Sequence, residues 1–196
     1  MTTTKNIWFK CIFALTIIAI ISGGLLAILN TVLAVSPVER TERAITKIYG
    51  ELKKYESILD VDNEQSPYKT EDGEISKIYR VNNEKGYDLL FKATGYNGFK
   101  NGTITLWVKV TYENSTPTIT KIILDGYTKQ TLMGMIGDSF YGGFYVDLTE
   151  SYRNGKFTAT NKEHANYNPV SGATYSATAG CNAINVVVDY VNNKGV

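Results

Sequence analysis

The sequence predicts an α+β protein: one N-terminal transmembrane helix, then one domain with a mainly antiparallel sheet and flanking helices. Three observations carry this reading. Residues 11–29 contain no charged side chain. Residues 75–124 adopt a two-residue apolar period broken by short Asn- and Gly-bearing connections, the pattern of strands in hairpins. Residues 177–191 return to helical spacing, with Ala177, Cys181, Ile184, Val187, Val188 and Val191 on one stripe.

The apolar run comes first. At about 1.5 Å rise per residue it spans ~28 Å, close to the ~30 Å hydrocarbon core of a bilayer. Only Thr16, Ser22, Gly23 and Gly24 interrupt it, and Trp8 falls at the edge where an indole suits the headgroup layer. The alternative is a secretory signal peptide, with Val32-Leu33-Ala34 as a small-residue cleavage site. The run is long for a signal peptide's apolar region, which favours a retained anchor. Lys5 and Lys10 precede it and Arg40, Arg43 and Lys47 follow, so charge bias alone does not set the orientation. The chain divides into a tail and anchor (1–34), a connecting helix and loop (35–72) and a domain (73–196).

Past the anchor, about 160 residues remain, enough for one globular domain. Of the chain's 20 basic and 19 acidic side chains, only Lys5 and Lys10 lie before that point, which leaves a net charge of −1. No basic field points to nucleic acid. Cys11 lies in the span and Cys181 in the terminal helix, so no disulfide framework is expected, and Cys181 reads as a small buried residue. His164 is the single histidine. So few soft ligands nearly exclude a zinc, haem or iron–sulfur site held by this chain alone. A lone loop histidine is more often solvated than functional, although His164 lies shortly before the motif described below.

Ser36-Pro37-Val38-Glu39 fits a capping box with proline at the first helical position. A helix from 37 to about 59 follows, its stripe formed by Ile45, Ile48, Tyr49, Leu52, Tyr55 and Ile58. Residues 60–73 are polar and loop-like. Strands are expected over 75–80, 87–94, 103–112 and 118–124. The third alternates well, with Ile104, Leu106, Val108 and Val110 on one face and Thr105, Trp107, Lys109 and Thr111 on the other. Short connections predict a meander. Pro117 lacks a backbone donor and suits the turn after Asn114 better than a strand. Asn101-Gly102-Thr103 and Asn114-Ser115-Thr116 match glycosylation sequons but are better read as turn chemistry. Residues 126–143 form a glycine- and hydroxyl-bearing connection.

The most informative segment precedes the terminal helix: Ser171-Gly172-Ala173-Thr174-Tyr175-Ser176. Small residues let a bulky group approach the backbone, and three hydroxyls offer a nucleophile. At a helix N-terminus, backbone N–H groups and the positive dipole end favour a phosphate. Read alone, the segment is also an ordinary capping turn with Ser171 or Ser176 as the N-cap.

The hexapeptide resembles the flavinylation motif of the membrane-anchored FMN-binding subunits of Rnf-type and Nqr-type redox pumps, Asp-x-x-Ser/Thr-Gly-Ala-Thr-x-Ser/Thr. The Ser-Gly-Ala-Thr-x-Ser core is complete, and Asn168 stands where that pattern has Asp. Two weaker echoes accompany it. Gly95-Tyr96-Asn97-Gly98 matches the family's Gly-Tyr-x-Gly pattern. Lys129-Gln130-Thr131-Leu132-Met133-Gly134 partly matches its Glu-Thr-Pro-Gly-Leu-Gly loop. The resemblance covers roughly residues 75–191 and the anchor.

The resemblance implies an FMN-binding domain with covalent FMN on Thr174 as a phosphoester. It implies cofactor contacts from Ser171, Gly172, Ala173, Ser176, Thr131 and Gly134. Partners implied are the lipid bilayer, the other membrane subunits of an Rnf-like ion-translocating ferredoxin:NAD oxidoreductase, and a separate FAD-dependent flavin transferase. The short length resembles the Rnf-type subunit more than the Nqr-type one, and the family's topology places the flavin domain outside the cytoplasm. The chain lacks a Gly-x-Gly-x-x-Gly nucleotide unit, so it reads as an electron-carrying subunit and not as a complete enzyme. Two other functions stay open: a stand-alone extracytoplasmic flavoprotein of another electron-transfer chain, and a non-redox assembly module.

Overall fold

The computed structural model describes residues 3–33, 35–84, 86–148, 156–159 and 172–194. The chain forms two compact units, Met1–Arg40 and Thr41–Val196.

The first unit holds helix α1 (Thr3–Leu33). Its segment Trp8–Thr31 has a mean hydropathy of 2.7 and is long and apolar enough to cross a membrane. Trp8, Phe9, Phe13, Ile18, Ile21 and Leu26 are all exposed, so no face of the helix is covered by protein. Thr16, Ser22 and Thr31 return their hydroxyls to the carbonyls of Ile12, Ile18 and Ala27 one turn back, at 2.8–3.0 Å. None of these hydroxyls lacks an acceptor.

Helix α2 (Pro37–Tyr49) follows. Ser36 caps it: its Oγ accepts from the Glu39 N–H at 3.1 Å. The helix is shorter than the apolar stripe predicts. Gly50 adopts a left-handed φ of +80° and donates its N–H to the Thr46 carbonyl, which ends the ladder. Strand β1 (Glu56–Asp60) occupies the place of the expected last turns. The "loop" after it supplies the short strand β2 (Tyr68–Lys69).

The sheet is built from β3 (Gly73–Asn83), β4 (Gly86–Gly95), β5 (Ile104–Glu113) and β6 (Thr116–Tyr127), a meander with every pairing antiparallel. Both β1 and β2 pair with the outer edge of β3, giving six strands. The architecture is α+β. Each expected strand is present and runs longer than its apolar core, because polar residues at the ends still pair across hairpins. Asn114 and Ser115 take φ of 51° and 66° and close the β5–β6 hairpin in two residues. Pro117 lies inside β6, opposite Tyr112, and not in the turn. The N–H of Ile119, on the same side of the strand, donates outward to the Val146 carbonyl. The missing donor of Pro117 therefore falls on the outer edge, where the β5 ladder does not need it.

The alternation in β5 puts apolar residues on both faces. Ile104, Leu106, Val108 and Val110 join Leu89, Phe91, Ile119 and Ile122 in the main core. Helix α4 (Thr174–Lys194) packs there, backed by Phe157 and by Phe140, Tyr141 and Phe144 from the region of the short helix α3 (Asp138–Gly142). On the other face, Trp107, Leu90 and Tyr79 pack with Ala44 and Ile45 of α2.

Candidate functional site

Helix α4 begins earlier than its apolar stripe. Its first residue is Thr174, and the first intrahelical bond joins the Ala177 N–H to the Ala173 carbonyl at 2.9 Å. The hexapeptide's Thr174-Tyr175-Ser176 is thus the first turn itself. The N–H groups of these three residues precede the ladder and face the positive end of the dipole. Gly172 takes a left-handed φ of +83°, and a Cβ placed on it would meet nothing within 4 Å. The backbone there is reversed and open.

The side chains of the first turn separate cleanly. Thr174 and Tyr175 are exposed, whereas Ala173 and Ser176 are buried. The Ser176 hydroxyl donates to Oε1 of Gln130 at 2.7 Å. Ser176 therefore lies within the helix and is not its N-cap. Ser171, Asn168 and His164 lie outside the described residues.

Gln130 joins three segments. Its Oε1 also accepts from the Phe99 N–H at 3.2 Å, and its Nε2 donates to the Thr128 carbonyl at 3.0 Å. Two glycines make room for this amide. A Cβ at Gly98 would come within 2.4 Å of Nε2, and one at Gly102 within 2.5 Å. Asn97, Lys100, Asn101 and Lys129 around it all have φ between 51° and 62°. Non-glycine residues hold such values only where surrounding contacts fix them.

The three stretches that resemble the family's patterns thus converge. Gly95 approaches α4 so closely that a Cβ would stand 1.9 Å from the Ala179 carbonyl oxygen. Asn182 of α4 donates to the Tyr96 carbonyl at 3.0 Å. Phe99 meets Tyr175 edge-on, ring centroids 6.4 Å apart, with Lys100 over the Phe99 ring. Thr131 and Gly134 are exposed on the loop that follows Gln130, flanked by exposed Leu132 and Met135. Among the described residues, no hydrogen bond or ring contact joins Thr131 or Gly134 to the first turn of α4. The residue that does so is Gln130, and sequence reasoning passed over it because its role depends on a contact 46 residues away.

Chemically, among the described residues the arrangement offers one exposed aliphatic hydroxyl at a helix start, an anion-favouring backbone, two lysines on the adjoining loops and an exposed Tyr175 ring against a half-buried Phe99. The residues fit an ester-bound phosphate whose organic part lies over aromatic and apolar side chains.

A concave feature lies elsewhere, on the α2 face, a cleft of about 760 Å³ lined by Tyr49, Lys53, Asn83, Asp88, Lys109 and Thr111 among others. Its buried carboxylate is already engaged. Asp88 accepts from Tyr49 at 2.9 Å and Asn83 at 3.0 Å, with the Lys109 ammonium at 3.2 Å. Burial, then the Asp88 charge, pushes the Tyr49 hydroxyl far above its usual range. This network fastens the end of α2 to the sheet. Among the described residues, no three His, Cys, Asp or Glu side chains gather as a metal set.

No protein-family model matches this chain, and no curated protein or solved structure is similar enough to match it.

Proposed function

We propose that this chain is a membrane-anchored electron-transfer subunit carrying FMN as a phosphoester on Thr174. The observation that carries the reading is the division of hydroxyls in a complete Ser-Gly-Ala-Thr-x-Ser segment: Thr174 is exposed at the start of α4 while Ser176 is turned inward. In the attachment step, the Thr174 Oγ forms a bond to the flavin-side phosphorus of FAD. The pyrophosphate P–O bond breaks, AMP leaves, and the hydroxyl proton is lost. A separate flavin transferase supplies the catalytic groups. The bound flavin supplies one- and two-electron redox chemistry. This chain's own residues fix the phosphate at the α4 N-terminus and offer Tyr175, Phe99, Leu132 and Met135 as neighbours for the ring.

In this reading the domain is extracytoplasmic, α1 is its anchor, and its partners are membrane subunits of an Rnf-like ion-translocating ferredoxin:NAD oxidoreductase. The test is peptide mass mapping of protein from its native membrane. The expected result is the mass of FMN less one water on Thr174, lost in Thr174→Ala and partly kept in Thr174→Ser. An unmodified Thr174 in cells with a working flavin transferase refutes the reading.

A further inference from the structure

We infer that Gln130 is the positioning residue of the acceptor turn: it holds Ser176 inward and so presents Thr174 as the hydroxyl that is modified. The inference rests on the reading of Thr174 as a flavin acceptor. The observations behind it concern Gln130 itself, which lies outside the hexapeptide.

Gln130 is buried, and both ends of its amide are engaged. One oxygen takes two donors, the Ser176 hydroxyl at 2.7 Å and the Phe99 N–H at 3.2 Å. The first of these fixes α4; the second fixes the loop that carries the Phe99 ring against Tyr175. A single side chain therefore sets both the rotation of the first turn and the aromatic pair beside it. A Cβ at Gly98 would meet the amide nitrogen first, and one at Gly102 would meet the Thr128 carbonyl oxygen first and then that nitrogen.

The geometric consequence is selectivity between two hydroxyls two residues apart. Residues two apart on a helix point about 160° away from the same face, since each step turns by about 100°. With Ser176 turned into the interior, Thr174 lies about 160° round the helix and is exposed. The ester bond forms at the Thr174 Oγ with loss of AMP from FAD, as above, and the Ser176 proton stays in its bond to Gln130. Were the amide lost, the first turn would keep its apolar packing through Ala173 and Ala177 and the edge of the Phe99 ring but lose this hydrogen bond. A reacting hydroxyl held loosely by an ångström loses much of its rate.

The experiment uses the full chain in membranes, an FAD-dependent flavin transferase and FAD. It follows fluorescence of the denatured band with time and maps the modified peptide. Gln130→Met keeps the volume and removes the bonds; Gln130→Glu keeps an oxygen for both donors. The expected result is about tenfold slower labelling in Gln130→Met, with rates restored towards wild type in Gln130→Glu. Thermal midpoints and amide exchange at Val187 separate this from general unfolding. A Gln130→Met chain that folds and labels at the wild-type rate overturns the proposal. If Gln130→Met does not fold, Ser176→Ala decides: it removes one bond at the α4 end, and unchanged labelling overturns the proposal equally. A wild-type chain that never labels overturns the flavin reading and this inference with it, an outcome distinct from a labelled wild type indifferent to Gln130.

Discussion

Gly95 is where a single methyl group would be felt most. A Cβ there would stand 1.9 Å from the Ala179 carbonyl oxygen and 2.3 Å from the Ala183 nitrogen, both backbone atoms of α4. Neither can yield without lifting the helix from the sheet. Gly95→Ala should cost about 2 to 3 kcal/mol of stability, read as a lower urea midpoint with an unchanged slope. The position was legible in the sequence only as part of Gly-Tyr-x-Gly; the reason for it, small residues at Ala179 and Ala183 on an approaching helix, requires the fold. Asp60 shows the opposite case. Its polar neighbours predict a loop, yet it is buried at the end of β1. Tyr79 donates to it at 2.6 Å, and the Lys77 ammonium bridges it and Asp62 at 3.1 and 2.6 Å. Burial alone would raise the Asp60 carboxyl; the bonds from Tyr79, Lys77 and the Asp62 N–H outweigh it and hold the group below its ordinary 3.8. A carboxylate with a depressed folded value stabilises above the unfolded value, and that contribution is lost as pH falls through the folded one. Lys77 runs the other way. Burial would lower it, the bonds to Asp62 and Asp60 raise it, and its contribution is complete below 10.5 and lost at higher pH. Stability measured by urea titration should therefore fall below pH 3.8, and Asp60→Asn should flatten that acid limb. An acid limb of equal steepness in the variant would show that other carboxylates set it.

At the scale of elements, period was a better guide to type than to extent. The β5 alternation gave both faces correctly because a strand between two neighbours has no freedom to rotate. The stripe of α2 failed beyond Tyr49 because Leu52, Tyr55 and Ile58 keep helical spacing by coincidence. Gly50 decides the matter through backbone conformation, which apolar spacing does not encode. Leu52 is accordingly exposed, and the segment from Glu56 pairs with β3. Gly50→Ala should strain the left-handed C-terminal turn by about 1 kcal/mol, seen as a fall in the thermal midpoint. No change would mean that the turn relaxes without cost. Helix α4 was legible as a helix with one apolar stripe, but it is buried along most of its circumference. Asn182 and Asn185, polar by type, are buried too. Asn185 accepts from the Phe157 N–H and donates to the Phe157 carbonyl, both at 2.9 Å. Such a helix reads as half-exposed in sequence because its polar contacts are made to backbone, and backbone partners leave no trace in composition.

At the scale of the whole molecule, the two units have opposite solvent demands. Residues Trp8–Thr31 expose apolar side chains on every face. The second unit carries charged groups at its surface, among them Lys121, Lys129, Glu113 and Lys194. Moving such groups into lipid costs several kcal/mol each, so a chain anchored by α1 keeps its domain wholly on one side. The balance of Lys5 and Lys10 against Arg40, Arg43 and Lys47 does not choose that side. Under the proposed role, residues from Ser36 onward are expected on the outside. The prediction is that the chain sediments with membranes and resists extraction by high salt, which releases proteins held by charge but not a spanning helix. Protease added to cells with a permeable outer layer should then digest the domain and leave a fragment containing α1. A domain that survives until the inner membrane is broken would reverse the orientation and remove the extracytoplasmic flavin from the proposal. A chain released by salt would deny the anchor itself, and with it the reading of α1 as anything but a leader to be removed.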